Sequence, residues 1–139
     1  MNTAIVVVSH SKALAEGVKE LALQMARANT SVWAVGGTED GGIGTSAPTI
    51  HEALIAALHV AAEVVVLMDL GSAHLNTLMA IEMLEEDLRA RVAMADAPLV
   101  EGAVLAVVAA ASGDGAGEVR ARAEEAREMR KLIYGGIAS

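Results

Sequence analysis

Two residues stand where a nucleophile and its orienting acid could meet. His10 follows a short apolar run, Ile5 to Ser9 (IVVVS), and Asp69 ends another, Glu63 to Asp69 (EVVVLMD). A neutral imidazole is a competent nucleophile near pH 7. A carboxylate bonded to one ring nitrogen fixes the tautomer, leaves the other nitrogen free to attack, and stabilises the cation that forms. With an activated phosphoryl group as substrate, such an imidazole needs no metal. The competing reading is a strand-end histidine that only hydrogen-bonds its own loop.

A phosphoryl group needs donors around it. Ser9 and Ser11 flank His10. Gly71 and Ser72 follow Asp69 and precede a helical pattern, so their backbone N–H groups can face an anion. Gly41, Gly42, Gly44 and Thr45 form a second glycine-rich turn ahead of a helix. The chain has neither GxxxxGK[ST] nor a strand-following GxGxxG, so neither nucleotide-binding loop is expected. His10, Asp69 and His74 could in principle share a metal, but their spacing matches no metal motif and no metal is expected. Asp96 to Gly102 (DAPLVEG) follows a further short run, with Pro98 and Glu101 expected to rim the same crevice.

These residues require a scaffold that brings strand ends together. Ile5–Ser9, Ser31–Val35, Glu63–Asp69 and the weaker Arg91–Ala95 read as strands, and continuous apolar runs indicate a parallel sheet covered on both faces. Helical patterns alternate with them. Leu14, Val18, Leu21 and Met25 form one stripe after a Ser11 N-cap. Ile50, Leu54 and Leu58 form another, with Pro48 in the first turn. A third helix is expected from about Leu75 to Leu88, with Leu75, Leu78 and Met79 inward and Glu82, Glu85 and Glu86 in water. Leu99–Ala111 is apolar nearly all round and needs cover on more than one side, for which a dimer is one solution. After Ser112–Gly117, a charged surface helix is expected from about Glu118 to Ile133, with Glu118 and Arg122 paired. The expected architecture is a single domain over residues 1–139, a doubly wound α/β fold with a mainly parallel four-stranded sheet in the order 2-1-3-4. That order puts the switch point between strands 1 and 3, where His10 and Asp69 would face each other.

Composition narrows the function. The formal net charge of −8 disfavours nucleic acid as a partner. With aromatics at 1% (Trp33 and Tyr134, no Phe), no base-stacking platform can be built. The absence of cysteine removes disulfides, thiolate metal sites and thiol nucleophiles. No apolar run is long enough to span a bilayer and none reads as a signal peptide, so no membrane partner and a cytoplasmic location are expected.

Four segments carry a family resemblance: IVVVSHSKALAEGVKEL (Ile5–Leu21), GGIGTSA (Gly41–Ala47), VVVLMDLGSA (Val64–Ala73) and DAPLVEGAV (Asp96–Val104). In this order, reaching to about Gly113, they resemble the phosphotransfer subunit of phosphoenolpyruvate-dependent dihydroxyacetone kinase. That subunit is similar to the mannose-type enzyme IIA of the bacterial sugar phosphotransferase system. The resemblance implies a phosphotransferase subunit, usually homodimeric. Its His10 accepts phosphate from HPr and passes it to a nucleotide, ADP becoming ATP, held by the ADP-binding kinase subunit. Asp69 would orient His10, and the chain would hold no cofactor of its own. Some family members carry further domains that supply HPr and part of enzyme I, so this chain would depend on separate donors. His74 stands where the family pattern leads one to expect an aliphatic residue. The compact DLGSA favours the kinase branch over a transport enzyme IIA, which more often has a longer turn there. A non-catalytic binding or regulatory module of the same fold is the remaining alternative.

Overall fold

The computed structural model describes residues 2–26 and 30–132. Strand β1 (Thr3–Ser9) is buried along its whole length. Its run of β-branched residues suits a strand with helices on both sides. It pairs in parallel with β2 (Val32–Gly36), with Ile5 opposite Val32, and with β3 (Glu63–Met68), with Val6 opposite Val66. The short edge strand β4 (Val92–Met94) pairs in parallel with β3. The order is β2-β1-β3-β4, as expected. Strand boundaries differ from the sequence reading by one or two residues, and Asp69 lies just beyond β3.

Alternation along β1 and β3 divides the interior into two cores. Ile5, Val7, Val65 and Leu67 pack on one face against α1 (Lys12–Gln24), α5 (Leu99–Ala111) and α6 (Ala116–Glu124). Val6, Val8, Val64 and Val66 pack on the other against α2 (Ala47–Val60) and α3 (Gly71–Glu82). A one-turn helix, α4 (Glu86–Arg89), precedes β4, and a 3₁₀ turn (Glu125–Glu128) follows α6.

The stripe of α2 is confirmed, with Ile50, Leu54 and Leu58 buried. Two other stripes are corrected. In α1 the core face is Ala15, Val18 and Ala22, whereas Leu14, Leu21 and Met25 are 45%, 49% and 58% exposed. In α3 the core face is Ala73, Thr77 and Ala80, whereas Leu75 and Met79 are 62% and 55% exposed. Small side chains let both helices lie close to the sheet, and the larger residues at neighbouring angles turn outward. The third helix also begins earlier than expected, at Gly71, and stops before Leu84, which is buried in the turn to α4.

Helix α5 needs no second chain to cover it. It lies between the sheet, α1 and α6, and Val119 and Ala123 of α6 are fully buried in the same core. The charged C-terminal helix is therefore amphipathic rather than solvated all round. Its ion pairs are Arg120–Glu124 and Arg122–Glu125, in place of the expected Glu118–Arg122 pair. Residues from Ile133 onward lie outside the described residues.

Candidate functional site

Parallel pairing of β1 with β3 puts the two strand ends side by side, and the ladder runs one step further through Asp69 N–H to Val8 O (3.1 Å). His10 and Asp69 therefore meet at the switch point. The ring Nδ1–H of His10 donates to Asp69 Oδ1 (2.8 Å). An ionised carboxylate can only accept, so this bond puts the proton on Nδ1 and the lone pair of the neutral ring on Nε2. Nε2 faces the hydroxyl of Ser72, which donates to it. The His10 side chain is 18% exposed and that of Asp69 12%, so the ring can be reached while its acid is shielded.

Asp69 is held from several directions. Its Oδ2 accepts from the Ser9 hydroxyl (2.7 Å) and from His10 N–H (2.9 Å), and its Oδ1 also accepts from Leu70 N–H (2.6 Å). Partial burial pushes the Asp69 carboxyl up. The bonds from His10 N–H, Ser9, the His10 ring and Leu70 N–H outweigh it and hold the group below the ordinary carboxylate range. Asp69 thus stays anionic and orients the ring rather than exchanging protons with it.

The other sequence candidates divide by the bonds they make. Ser9 is fully buried, donates to Asp69, and accepts from Ser11 N–H (3.0 Å). It shapes the dyad and has no hydroxyl left for a phosphoryl oxygen. Ser11 caps α1, accepting from Leu14 N–H (3.2 Å). Gly44 N–H donates to the His10 carbonyl (2.8 Å), so this glycine, at φ +146°, fixes the histidine loop through its backbone. The Thr45 hydroxyl accepts from Asn76 of α3. Gly71 and Ser72 open α3, and no hydrogen bond among the described residues uses their N–H groups. These two N–H groups are left open at the start of the helix whose Ser72 hydroxyl donates to Nε2.

The remaining polar candidates make no hydrogen bond to the His10 ring or to Asp69, although His74 and Asp96 share a cleft with Asp69. Gly42 bonds Thr38 within its own turn. Asp96 pairs with Arg127, its N–H donates to Glu124, and Glu101 bonds Lys131, so all three bonds run to the C-terminal segment. His74 lines a cleft with Gly71, Asp96 and Arg120 beyond β3 and β4. No cluster of three metal-ligating side chains occurs among the described residues, and no helix among them is long and apolar enough to cross a membrane.

Two contributors escaped the sequence reading. Asn76 ties α3 to the glycine-rich turn, and an asparagine inside a helical pattern offered no sign of it. At Gly36, a Cβ would stand 2.6 Å from Ser11 O and 2.8 Å from Lys12 Cα. The backbone after His10 can cross the end of β2 only because this position is bare. The signal was the Gly36-Gly37 pair closing the second apolar run.

The chain belongs to the EIIA-man family, the PTS system fructose IIA component, whose family model matches residues 4–120. It is 42% identical over 134 residues to the phosphoryl donor subunit DhaM of PEP-dependent dihydroxyacetone kinase from Escherichia coli, covering 94% of this chain. It is 38% identical over 104 residues to phosphoryl donor subunit DhaM of PEP-dependent dihydroxyacetone kinase 2 from Listeria innocua, covering 82% of that protein. The chain spans only 28% of the Escherichia coli relative's length and 27% of that of a Providencia stuartii relative. Among solved structures, a crystal structure of a protein of unknown function, EF1359, superposes with a TM-score of 0.81 at 36% identity, covering 90% of this chain and 95% of that one. The mannose/sorbose-specific IIA subunit of the phosphotransferase system from Enterococcus faecalis shares the fold at 16% identity, with a TM-score of 0.60 and full coverage of both chains.

Proposed function

We propose that this chain is a phosphohistidine carrier that accepts a phosphoryl group on His10 Nε2 from phospho-HPr and passes it to the ADP-bound subunit of dihydroxyacetone kinase. The observation that carries the reading is the commitment of Nδ1 to Asp69, which leaves the lone pair on Nε2 beside Ser72 and the α3 N-terminus. The Nε2 lone pair attacks phosphorus while the bond from phosphorus to the donor breaks, and the leaving atom keeps the electron pair. Positive charge then spread over the ring is stabilised by Asp69. The Ser72 hydroxyl, released when Nε2 gains its substituent, turns to a phosphoryl oxygen together with the Gly71 and Ser72 N–H groups. Transfer onward reverses these steps, with the β-phosphate of ADP on the kinase subunit as acceptor and ATP as product.

The names of the relatives support dihydroxyacetone kinase as the destination. In this reading residues 1–139 act as one phosphotransfer domain in the cytoplasm, hold no cofactor of their own, and use ADP only on the partner. The chain works as a homodimer. The outer stripe of α1, Leu14, Leu21 and Met25, is the apolar face left for a second copy.

The test is incubation with phosphoenolpyruvate, enzyme I and HPr, followed by intact mass and alkaline phosphopeptide mapping. One acid-labile phosphate on His10 is expected, and His10→Ala should take none while melting within about 2 °C of the parent. Chase with the kinase subunits or with a mannose-type IIB then identifies the acceptor. No phosphate with active donors would leave a non-catalytic module.

A further inference from the structure

The bond from Ser72 to His10 has a second chemical meaning. With Nδ1–H donating to Asp69 (2.8 Å) and Nε2 accepting from the Ser72 hydroxyl, carboxylate, imidazole and hydroxyl form one hydrogen-bonded chain. These are the three groups, joined through the same two ring nitrogens, by which a hydrolase turns a serine into a nucleophile, and the set is defined by geometry and role whatever fold carries it. Each member has the exposure its role needs. Asp69 is shielded and stays anionic, the ring can be reached, and Ser72 is open to solvent. Ser72 is the second residue of α3, just after the turn that leaves β3 at Met68. The N–H groups of Gly71 and Ser72 have no partner among the described residues, so negative charge gathering beside Ser72 Oγ lies at the unpaired, positive end of α3. Gly71 also lines the cleft beyond β3 and β4, where Met68, Leu70 and Met94 supply apolar surface.

We infer that the unphosphorylated site is also an acyl-transfer centre, with Ser72 as nucleophile, His10 as general base and Asp69 as positioning residue, acting on esters of short apolar acids. Ser72 Oγ attacks the ester carbonyl carbon, and its proton passes to Nε2. The bond from that carbon to the leaving oxygen breaks. The leaving oxygen keeps the electron pair and takes the proton from Nε2, and an acyl ester is left on Ser72. Water then attacks the same carbon, giving a proton to Nε2, which returns it to Oγ as the acid departs. This chemistry is separate from the relay, in which Nε2 itself forms the new bond. The two exclude each other, because an Nε2 that carries phosphate has no lone pair to take the Ser72 proton.

The probe is p-nitrophenyl acetate, offered to wild type, Ser72→Ala, His10→Ala and Ser112→Ala. Release of p-nitrophenolate is followed, and acid-quenched peptides are mapped for acetyl. Ser72 is exposed, so Ser72→Ala should fold, and the map on wild type needs no variant at all. Ser112→Ala is the control, because Ser112 is exposed at the end of α5 and bonds only within that helix. The expected result is one acetyl on Ser72 of wild type. Release should be about tenfold or more slower in Ser72→Ala and His10→Ala, and unchanged in Ser112→Ala. A Ser72→Ala rate equal to wild type would overturn the inference by making His10 the attacking group. Acetyl found only on other residues, or a wild-type rate no higher than that of free imidazole at the same concentration, would overturn it as well. Chain already phosphorylated on His10 should take no acetyl on Ser72, and acetyl there would show that Nε2 is not the base. The relay is scored apart from all of these, by phosphate on His10 from phospho-HPr.

Discussion

Asp69 sets the chemistry of His10 by where its two oxygens point. One holds the ring nitrogen, and the other is anchored by Ser9 and the His10 backbone, so the ring cannot turn without losing its bond to a carboxylate held in place. Asp69→Asn should therefore slow phosphoryl transfer about a hundredfold. The amide can present its N–H₂ to Nδ1 and favour the wrong tautomer, and it carries no charge to balance the phosphorylated ring. Acceptance of phosphate from phospho-HPr in a stopped assay measures this. The pH dependence of stability gives a second check. A carboxylate depressed by folding contributes stability that is fully present above its unfolded value and drains away as pH falls through the lower folded value. Any stability advantage of wild type over Asp69→Asn in chemical denaturation should thus hold at neutral pH and shrink below about pH 4. An advantage unchanged down to pH 2 would show that the Asp69 bonds do not favour its ionised form.

Elements determine whether that pair stays assembled, and the two ends of the sheet answer differently to mutation. Gly36→Ala would press a methyl group onto the Ser11 carbonyl and Lys12 Cα, which hold the turn after His10. A loss of about 1–3 kcal/mol in stability is expected, with transfer slowed beyond what the unfolded fraction explains. Arg91 works at the opposite end. Its guanidinium donates to the carbonyls of Leu58, Ala61 and Ala62 at 2.7–2.9 Å, closing the C-terminal end of α2. Arg91→Ala should cost about 1–3 kcal/mol by leaving those carbonyls short of a donor, yet leave the transfer rate of the folded protein unchanged. Measuring both variants by denaturation and by phosphate acceptance separates the two roles. A slowed Arg91→Ala at full folding would contradict this division.

At the scale of the whole molecule the core is built for close approach. The sheet contributes valine, isoleucine and leucine, whereas α1, α5 and α6 answer largely with alanine and valine. Ala106 of α5 is fully buried in this core, and Ala106→Leu has no space to enter. A cost of about 1–3 kcal/mol is expected from urea unfolding, through α5 lifting from the sheet. Substitution to leucine at Val108, a partly exposed position of the same helix, should cost less.

How much of this was legible beforehand follows from the range of the interactions involved. Four apolar runs separated by helical patterns determined a parallel sheet, and the chemistry at the ends of two of them nominated His10 and Asp69. Both are local properties of the chain, set by period and by residue type. Which face of α1 or α3 is inward was not local. Leucines mark an apolar stripe whether a sheet or a partner covers it, and only the packed distance from helix to sheet selected the alanine faces. The bond from Asn76 to Thr45, the bare Gly36 under the Ser11 carbonyl and the diversion of Ser9 from phosphate to Asp69 likewise join residues far apart in the chain or turn on a buried hydroxyl. The sequence by itself nominated the groups that could react. The tertiary structure decided which ring nitrogen stays free, because that depends on where Asp69 and Ser72, some sixty residues away, place their oxygens against His10.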